Sequence, residues 1–164
     1  MPSISKSTSE MVIFHRFKDA YKNKTGTVLD NVLKTEEPKA PDFRAIDKFT
    51  GASIGIEITG VYQSPEEAKI QHWRQEGWEG FFSGNQDHII QEFNRVISKK
   101  AKRSFEYEFD DKLILVIYLG SIVFNEQIDL EFMQPSIIIP PNNFAEIWVI
   151  IRDKITDYDL FRLS

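Results

Sequence analysis

Two carboxylates, fifteen positions apart, are the side chains of this sequence best placed to do chemistry. Asp42 begins one predicted strand, and Glu57 lies within the next. If the two strands are neighbours, both carboxylates can converge on one point. Hard cations such as Mg²⁺ take oxygen ligands of this kind, commonly one or two carboxylates completed by substrate phosphates. The spacing therefore predicts a site for Mg²⁺ or Mn²⁺, which could activate water for attack on a phosphate.

The residue types around Glu57 predict which face of its strand it occupies. Successive side chains of a strand point to opposite faces of the sheet. Ile54, Ile56 and Ile58 therefore share the face that is expected to join the core. Glu57 and Thr59 lie side by side on the other face, where the hydroxyl of Thr59 can orient water but carries no positive charge.

The stretch Pro41-Asp42, a hairpin and then Glu57-Ile58-Thr59 resembles the signature of the PD-(D/E)XK nuclease superfamily. The resemblance implies that Asp42 and Glu57 bind metal and that the backbone carbonyl of Ile58 is a further ligand. Thr59 stands where the family has its lysine. The resemblance also implies hydrolysis of phosphodiester bonds, with DNA as the expected partner. The implied fold is restriction-endonuclease-like: α/β, with a mixed central sheet flanked by helices and a core order of α-β-β-β-α-β.

Glu10 in the first predicted helix is a third candidate ligand. The apolar sector of this helix contains Ile13, Phe14, Phe17, Ala20 and Tyr21. Glu10 falls inside that sector on a helical wheel, and a buried glutamate is unfavourable unless it is paired or binds a cation. Members of the superfamily often place an acidic residue on their first helix near the metals, and Glu10 resembles that residue. The alternative is that Glu10 only caps the helix together with Ser7.

A lysine from elsewhere in the fold could replace the one that the motif lacks. The candidates are Lys48, Lys69, Lys99 and Lys100. On the helix predicted from Asp87 to Lys102, Lys100 falls within the apolar sector, towards the sheet, whereas Lys99 falls outside it. Lys100 is therefore the predicted replacement. The alternative is a lysine at a helix end that extends its ammonium group into solvent.

The same helix carries a run of cations along its length. They are Arg95, Lys99, Lys100, Lys102 and Arg103. They could contact the phosphates of a nucleic acid, or they could form an ordinary solvated helix surface. Gln91 points away from the apolar sector, which disfavours a role for it in the site.

Composition excludes several classes of protein and site. A chain of 164 residues with 41% hydrophobic and 27% charged residues fits one globular domain over residues 1–164. The absence of cysteine excludes disulfides and thiolate metal sites. The three histidines are far apart and show no metal-ligand spacing. A net charge of −5 argues against a protein that coats nucleic acid non-specifically, although it allows a local basic track.

The sequence indicates neither a signal peptide nor a membrane span. The first ten residues contain no apolar run, and the longest apolar stretch, Leu113 to Leu119, is far shorter than the roughly 20 residues that a membrane helix needs. We therefore expect a cytoplasmic protein with no membrane partner. A two-fold homodimer is the arrangement to expect if both strands of a duplex are cut.

Periodicity and turn signals predict the remaining elements. Helices are expected from about Ser7 to Gly26, from Ser64 onwards and from about Asp87 to Lys102. Strands are expected at residues 42–49, 53–61, 112–119 and 144–151, with residues 158–163 as a candidate edge strand. Residues 27–33 could form a short strand or an extended loop. Trp73, Trp78, Phe81 and Phe82 form an aromatic cluster near a predicted helix end. Core packing explains this cluster best, and a base-stacking platform is the alternative.

Two functional hypotheses follow. The first is a metal-dependent nuclease whose catalytic residues are Glu10, Asp42, Glu57, Thr59 and Lys100. The second is a catalytically silent module of the same fold that binds nucleic acid or a protein, favoured by the missing motif lysine and the acidic net charge. A purely structural interaction domain, in which the acidic motif is accidental, is disfavoured by the position of Glu10 on its helix.

Overall fold

Helices pack on both faces of a six-stranded mixed sheet whose strand order follows the chain. The computed structural model describes residues 6–61, 86–109, 111–119, 130–152 and 158–164. Its helices are α1 (Lys6–Thr25), α2 (Gln86–Ser104) and the single turn α3 (Leu130–Met133), which a 3₁₀ turn (Gln134–Ser136) continues.

The strands combine antiparallel and parallel pairing. They are β1 (Leu29–Lys34), β2 (Phe43–Asp47), β3 (Ser53–Val61), β4 (Lys112–Leu119), β5 (Glu146–Arg152) and β6 (Tyr158–Arg162). The strands β1, β2 and β3 are antiparallel, β4 and β5 continue from β3 in parallel, and β6 returns antiparallel to β5. The α/β class and the mixed sheet flanked by helices are thus confirmed. From α1 to β4 the described elements follow the order α-β-β-β-α-β, with residues 62–85 outside the described part of the chain.

Helix α1 covers one face of the sheet through its aromatic residues. Phe14, Phe17 and Tyr21 are fully buried and pack in one cluster with the isoleucines of β3. The helix ends at the predicted stop, Gly26, whose φ of 78° lies in the left-handed region that glycine adopts most readily. The N–H of Gly26 donates to the carbonyl of Lys22 at 2.8 Å.

Strand β4 is buried on both faces, which explains its uninterrupted apolar sequence. Ile114 and Val116 join the cluster beneath α1. Leu115 and Ile117 join a second cluster beneath α2, where Phe93 is among the fully buried side chains. The sheet therefore separates two hydrophobic cores, and each core fixes the position of one long helix.

Gly55 allows the chain before β2 to lie against β3. A Cβ atom at this position would lie 2.8 Å from Pro41 Cγ and 2.8 Å from Leu113 Cδ2. Real Cβ atoms do not approach other atoms so closely, so a larger residue would push Pro41 away from the strand. The glycine therefore lets Pro41, and with it the neighbouring Asp42, pack directly on β3.

Several predictions of the sequence fall on residues that are not described. The helix from Ser64, together with Lys69, His72 and the aromatic cluster at residues 73–82, lies outside the described residues. Among the helices that are described, none is long and apolar enough to span a membrane.

Candidate active site

The candidate site lies where β3 loses one of its neighbours. Strand β2 pairs with β3 only from the Ile46–Ser53 pair to the Phe43–Ile56 pair. Beyond that point, in the part of the chain that the structure describes, β3 pairs only with β4. Asp42, which directly precedes β2, takes the place of a strand partner: its Oδ2 accepts a hydrogen bond from the N–H of Ile58 at 2.8 Å.

Glu57 lies beside Asp42 at this edge. Its Oε2 accepts a hydrogen bond from the backbone N–H of Asp42 at 3.2 Å. Glu57 is only 2% exposed and faces α2, away from the isoleucines of its strand. The structure thus brings together the two carboxylates that the sequence singled out. Glu57 accepts a hydrogen bond from the backbone of Asp42, and Asp42 accepts one from the backbone of Ile58, the residue after Glu57.

Lys100 reaches this pair from α2. Its Nζ lies 2.6 Å from Glu57 Oε1, and its side chain is only 15% exposed. The ammonium group therefore points to the sheet rather than into solvent, which removes the alternative of a solvent-directed lysine. Lys99 and Lys48, two of the other candidates, are exposed.

The electrostatic environment of Asp42 is unfavourable for its charge. The pKa of Asp42 is raised to about 6, first by burial and next by the negative charge of Glu57, with a smaller increase from Glu10. The hydrogen bond from Ile58 and the charge of Lys100 lower this pKa but do not outweigh those effects. A bound cation would relieve the surplus of negative charge at this point.

Glu10 lies close to the pair without joining it. Its carboxylate is 13% exposed and lies 3.3 Å from Lys34 Nζ. The first turn of α1 contains no acidic residue, so Glu10 is beyond the position expected for a capping role. Among the described residues, no three His, Cys, Asp or Glu side chains are grouped so that they could hold a metal ion. The role of Glu10 as a third ligand stays a prediction.

A cavity of about 270 Å³ opens beside the end of β3. Its wall includes Glu10 and Ile13 from α1, Thr59 from β3, and Arg95, Lys99 and Lys100 from α2. This volume is several times the roughly 30 Å³ that one water molecule occupies in the liquid. A small anionic group could therefore enter between Thr59 and Lys100, next to the carboxylate pair.

Tyr107, which follows α2, is a residue of this site that the sequence reasoning missed. Its hydroxyl is buried and has no hydrogen-bond partner of normal geometry among the described residues. Glu57 is nevertheless close enough that its charge, after burial, raises the pKa of Tyr107. A buried hydroxyl without such a partner is unfavourable, and the nearby carboxylate of Glu57 reduces this cost. The available signal was the alternation of aromatic residues at positions 105, 107 and 109.

The donor set is compatible with a hard divalent cation. Mg²⁺ is commonly held by one or two carboxylates, with water and substrate phosphates completing its shell. Asp42 and Glu57 meet that requirement, and the unsatisfied hydroxyl of Tyr107 is of the kind that a bound water could satisfy. The carbonyl of Ile58 as a further ligand stays a prediction.

No protein-family model matches the chain, and no curated protein and no solved structure matches it either. The resemblance to the nuclease superfamily therefore rests on the motif and on the arrangement of the elements around it.

Proposed function

We propose that this protein is a divalent-metal-dependent nuclease of the PD-(D/E)XK type that hydrolyses phosphodiester bonds, with DNA as its expected substrate. One observation carries the proposal: Lys100 Nζ lies 2.6 Å from Glu57, whose other carboxylate oxygen accepts the N–H of Asp42. The family that the motif resembles has a lysine where this chain has Thr59. Lys100 brings a positive charge to the same carboxylate from α2.

The proposed roles follow from what each side chain contacts. Asp42 and Glu57 hold Mg²⁺ or Mn²⁺, which supplies an activated water and offsets charge on the phosphate when it is bound. Lys100 stabilises the negative charge that develops on the phosphate. Thr59, in the cavity wall, orients water through its hydroxyl. Glu10, in the same wall, adds a further carboxylate to the site.

The ion pair between Lys100 and Glu57 also favours a second function, that of a catalytically silent binding module of the same fold. Lys100 already neutralises Glu57, so this carboxylate has a counter-ion without any metal. The described residues also provide no group of three ligands. Such a module would bind nucleic acid or a protein partner without cleaving it.

Calorimetric titration with Mn²⁺, followed by a cleavage screen, tests the proposal. The screen offers single-stranded, duplex and branched DNA, and RNA, to wild type and to Asp42→Asn and Glu57→Gln. Asp30→Asn is the matched control because Asp30 is an exposed carboxylate of β1. We expect saturable Mn²⁺ binding and Mn²⁺-dependent cleavage by wild type and by the control, and the loss of both in the two site variants.

Two other outcomes have definite meanings. Mn²⁺ binding without cleavage of any substrate would support the silent module. If folded wild type binds no Mn²⁺ at millimolar concentration, even with nucleic acid present, the metal site itself is refuted.

A further inference from the structure

The cavity beside Thr59 and Lys100 adjoins a larger one along α2. This second cavity has a volume of about 590 Å³, and Arg95 and Lys99 line both cavities. Its other lining residues are Pro38, Ser98, Lys102, Arg103 and Glu106. Because they share two side chains, the cavities lie side by side along the helix, and we call the two together the α2 groove.

Four cations follow the α2 groove. Arg95, Lys99, Lys102 and Arg103 are all exposed and are spaced so that they lie along one side of the helix. The chain as a whole has 20 Lys and Arg against 25 Asp and Glu, so this concentration of positive charge opposes the overall balance.

The charges of the α2 groove are only partly neutralised. Arg95 is paired with Glu92 at 2.9 Å, and Glu106 lines the outer end. Lys99 and Lys102 form no ion pair within the described part of the chain. A polyanion could therefore occupy the α2 groove without displacing an existing partner of either lysine.

The wall opposite α2 belongs to the loop that leads into Asp42. Arg103 Nη2 donates to the carbonyl of Pro38 at 3.3 Å. The N–H of Glu108 donates to the carbonyl of Lys39 at 2.9 Å. These contacts tie the loop to α2 and to the segment that follows it, so the α2 groove and the loop that leads into Asp42 are directly connected.

The spacing of the cations matches a nucleic-acid strand. Arg95 and Arg103 are eight residues apart, which corresponds to about 12 Å along a helix. One strand of a B-form duplex carries a phosphate about every 3.4 Å along the axis, so three to four phosphates fit that length. The described residues that line the groove include no aromatic side chain on which a base could stack. The contacts would therefore be made to the backbone and not to the bases.

We infer that the α2 groove binds the sugar-phosphate backbone of a nucleic-acid strand, irrespective of base sequence, and guides it to Asp42, Glu57 and Lys100. The inference rests on the proposed nuclease function, because the groove leads to that site. It adds which surface holds the substrate and by what chemistry.

Fluorescence anisotropy with labelled oligonucleotides tests this inference in EDTA, where neither metal binding nor cleavage contributes. The probes are single strands and duplexes of two unrelated base compositions, titrated at several salt concentrations. The variant is Lys99→Gln/Lys102→Gln. The matched control, Lys22→Gln/Lys24→Gln, removes the same charge from exposed positions of α1, on the other side of the sheet. Thermal melts establish that all proteins are equally folded.

We expect the groove variant to bind at least tenfold more weakly at low salt, and the control to change less than twofold. For single strands, the slope of log affinity against log salt should become shallower by about 1.4, because two phosphate contacts are lost at about 0.7 each. Affinity should not depend on base composition.

Three results would overturn the inference: equal weakening in both variants, a strong preference for one base composition, or a wild type that binds none of the oligonucleotides. Failure of the proposed function looks different, because wild type would then bind oligonucleotides through Lys99 and Lys102 but cleave none with Mn²⁺.

Discussion

Two buried clusters of carboxylate and lysine lie on opposite faces of the sheet. On the α1 face, Glu146 accepts hydrogen bonds from Tyr21 at 2.9 Å and from Trp148 at 2.8 Å. It also pairs with Lys112 at 2.6 Å. On the α2 face, Asp42 and Glu57 share the single ammonium group of Lys100, with Glu10 nearby. The first cluster balances one negative charge with one positive charge, whereas the second has a surplus of negative charge.

The pKa values of the two clusters differ in direction. Burial alone would raise the pKa of Glu146, but hydrogen bonds from Lys112, Trp148 and Tyr21 hold it below its usual value. At Asp42, burial and the neighbouring carboxylates outweigh the hydrogen bond from Ile58 and the charge of Lys100, so the pKa rises to about 6. A carboxylate that is satisfied in this way stabilises a fold. A buried carboxyl group with a raised pKa beside a cavity, as at Asp42, is typical of sites that bind ions or do chemistry. The comparison therefore favours the α2-face cluster as the site of the proposed function and the α1-face cluster as a part of the fold.

The largest expected effect concerns the two lysines. If the comparison is right, Lys100→Met lowers the rate of Mn²⁺-dependent cleavage by about 10²- to 10⁴-fold, because the charge that stabilises the reacting phosphate is lost. Lys112→Met should leave the rate unchanged. Lys100→Arg, which keeps the charge, should recover part of the activity. Single-turnover cleavage on folded protein measures all three, and similar rates for Lys100→Met and wild type would contradict the assignment.

Removing the carboxylate of the α1-face cluster should destabilise the protein. We expect Glu146→Gln to lower the free energy of unfolding by about 2–3 kcal/mol, because Lys112 loses its counter-ion. Lys112 is 36% exposed, so the loss should be smaller than for a fully buried pair. Because folding lowers the pKa of Glu146, its contribution is present above its ordinary pKa and is lost as the pH falls through the lowered value. Urea unfolding at pH 7 and at acid pH measures this, and an unchanged unfolding energy would refute it.

Removing a negative charge from the α2-face cluster should stabilise the protein, in contrast to the destabilisation expected for Glu146→Gln. In EDTA at pH 7, we expect Asp42→Asn to raise the free energy of unfolding by about 1–2 kcal/mol. The pKa of Asp42 rises from 3.8 to about 6 on folding. Between those values the folded state binds more protons than the unfolded state, so wild type loses stability as the pH rises. The variant lacks this loss, and its advantage should disappear at low pH.

Urea unfolding of Asp42→Asn and wild type at pH 7 and near pH 4 measures that difference. Asp30→Asn serves as the control, since Asp30 is exposed. A variant less stable than wild type at pH 7 would mean that the hydrogen bond from Ile58 outweighs the charge surplus.

The smallest expected effect is on the free energy of unfolding when the hydroxyl of either buried tyrosine, Tyr107 or Tyr21, is removed. Tyr107→Phe removes a hydroxyl without a partner of normal geometry among the described residues, so in EDTA the unfolding energy should change by less than about 1 kcal/mol, towards stability. Tyr21→Phe removes a hydrogen bond to Glu146 and should cost about 1.5–3 kcal/mol. With Mn²⁺ present, Tyr107→Phe should bind the ion somewhat more weakly. Equal losses in the two variants would show that the Tyr107 hydroxyl is also bonded.

Local periodicity was sufficient to predict most elements and several side-chain directions. The helical period placed Glu10 and Lys100 on the inner side of their helices, and both side chains are largely buried. The strand alternation placed Glu57 opposite the isoleucines of β3, where it lies. These predictions succeeded because the direction of a side chain depends on neighbours within one turn or one strand.

Periodicity did not reveal which side chains meet. Glu146 lay inside a predicted strand, but nothing in its surroundings pointed to Tyr21, which is 125 residues away in the chain. Tyr107 lies in a segment without regular secondary structure, so the alternation of aromatic residues around it did not show where its hydroxyl points. The pairing of Glu10 with Lys34 was missed for the same reason as that of Glu146.

By itself, the sequence determined the α/β class and the approximate boundaries of the two long described helices. It also determined that Asp42 and Glu57 are connected by one hairpin and can therefore lie on neighbouring strands. Only the tertiary structure decided that α2 crosses the sheet where Lys100 can reach Glu57, 43 residues earlier in the chain. It also decided that β2 begins too late to cover the end of β3, which leaves the edge and its cavity open. The physical reason is that spacing within an element is set by local backbone geometry, whereas contacts between elements depend on how the two hydrophobic cores position their helices.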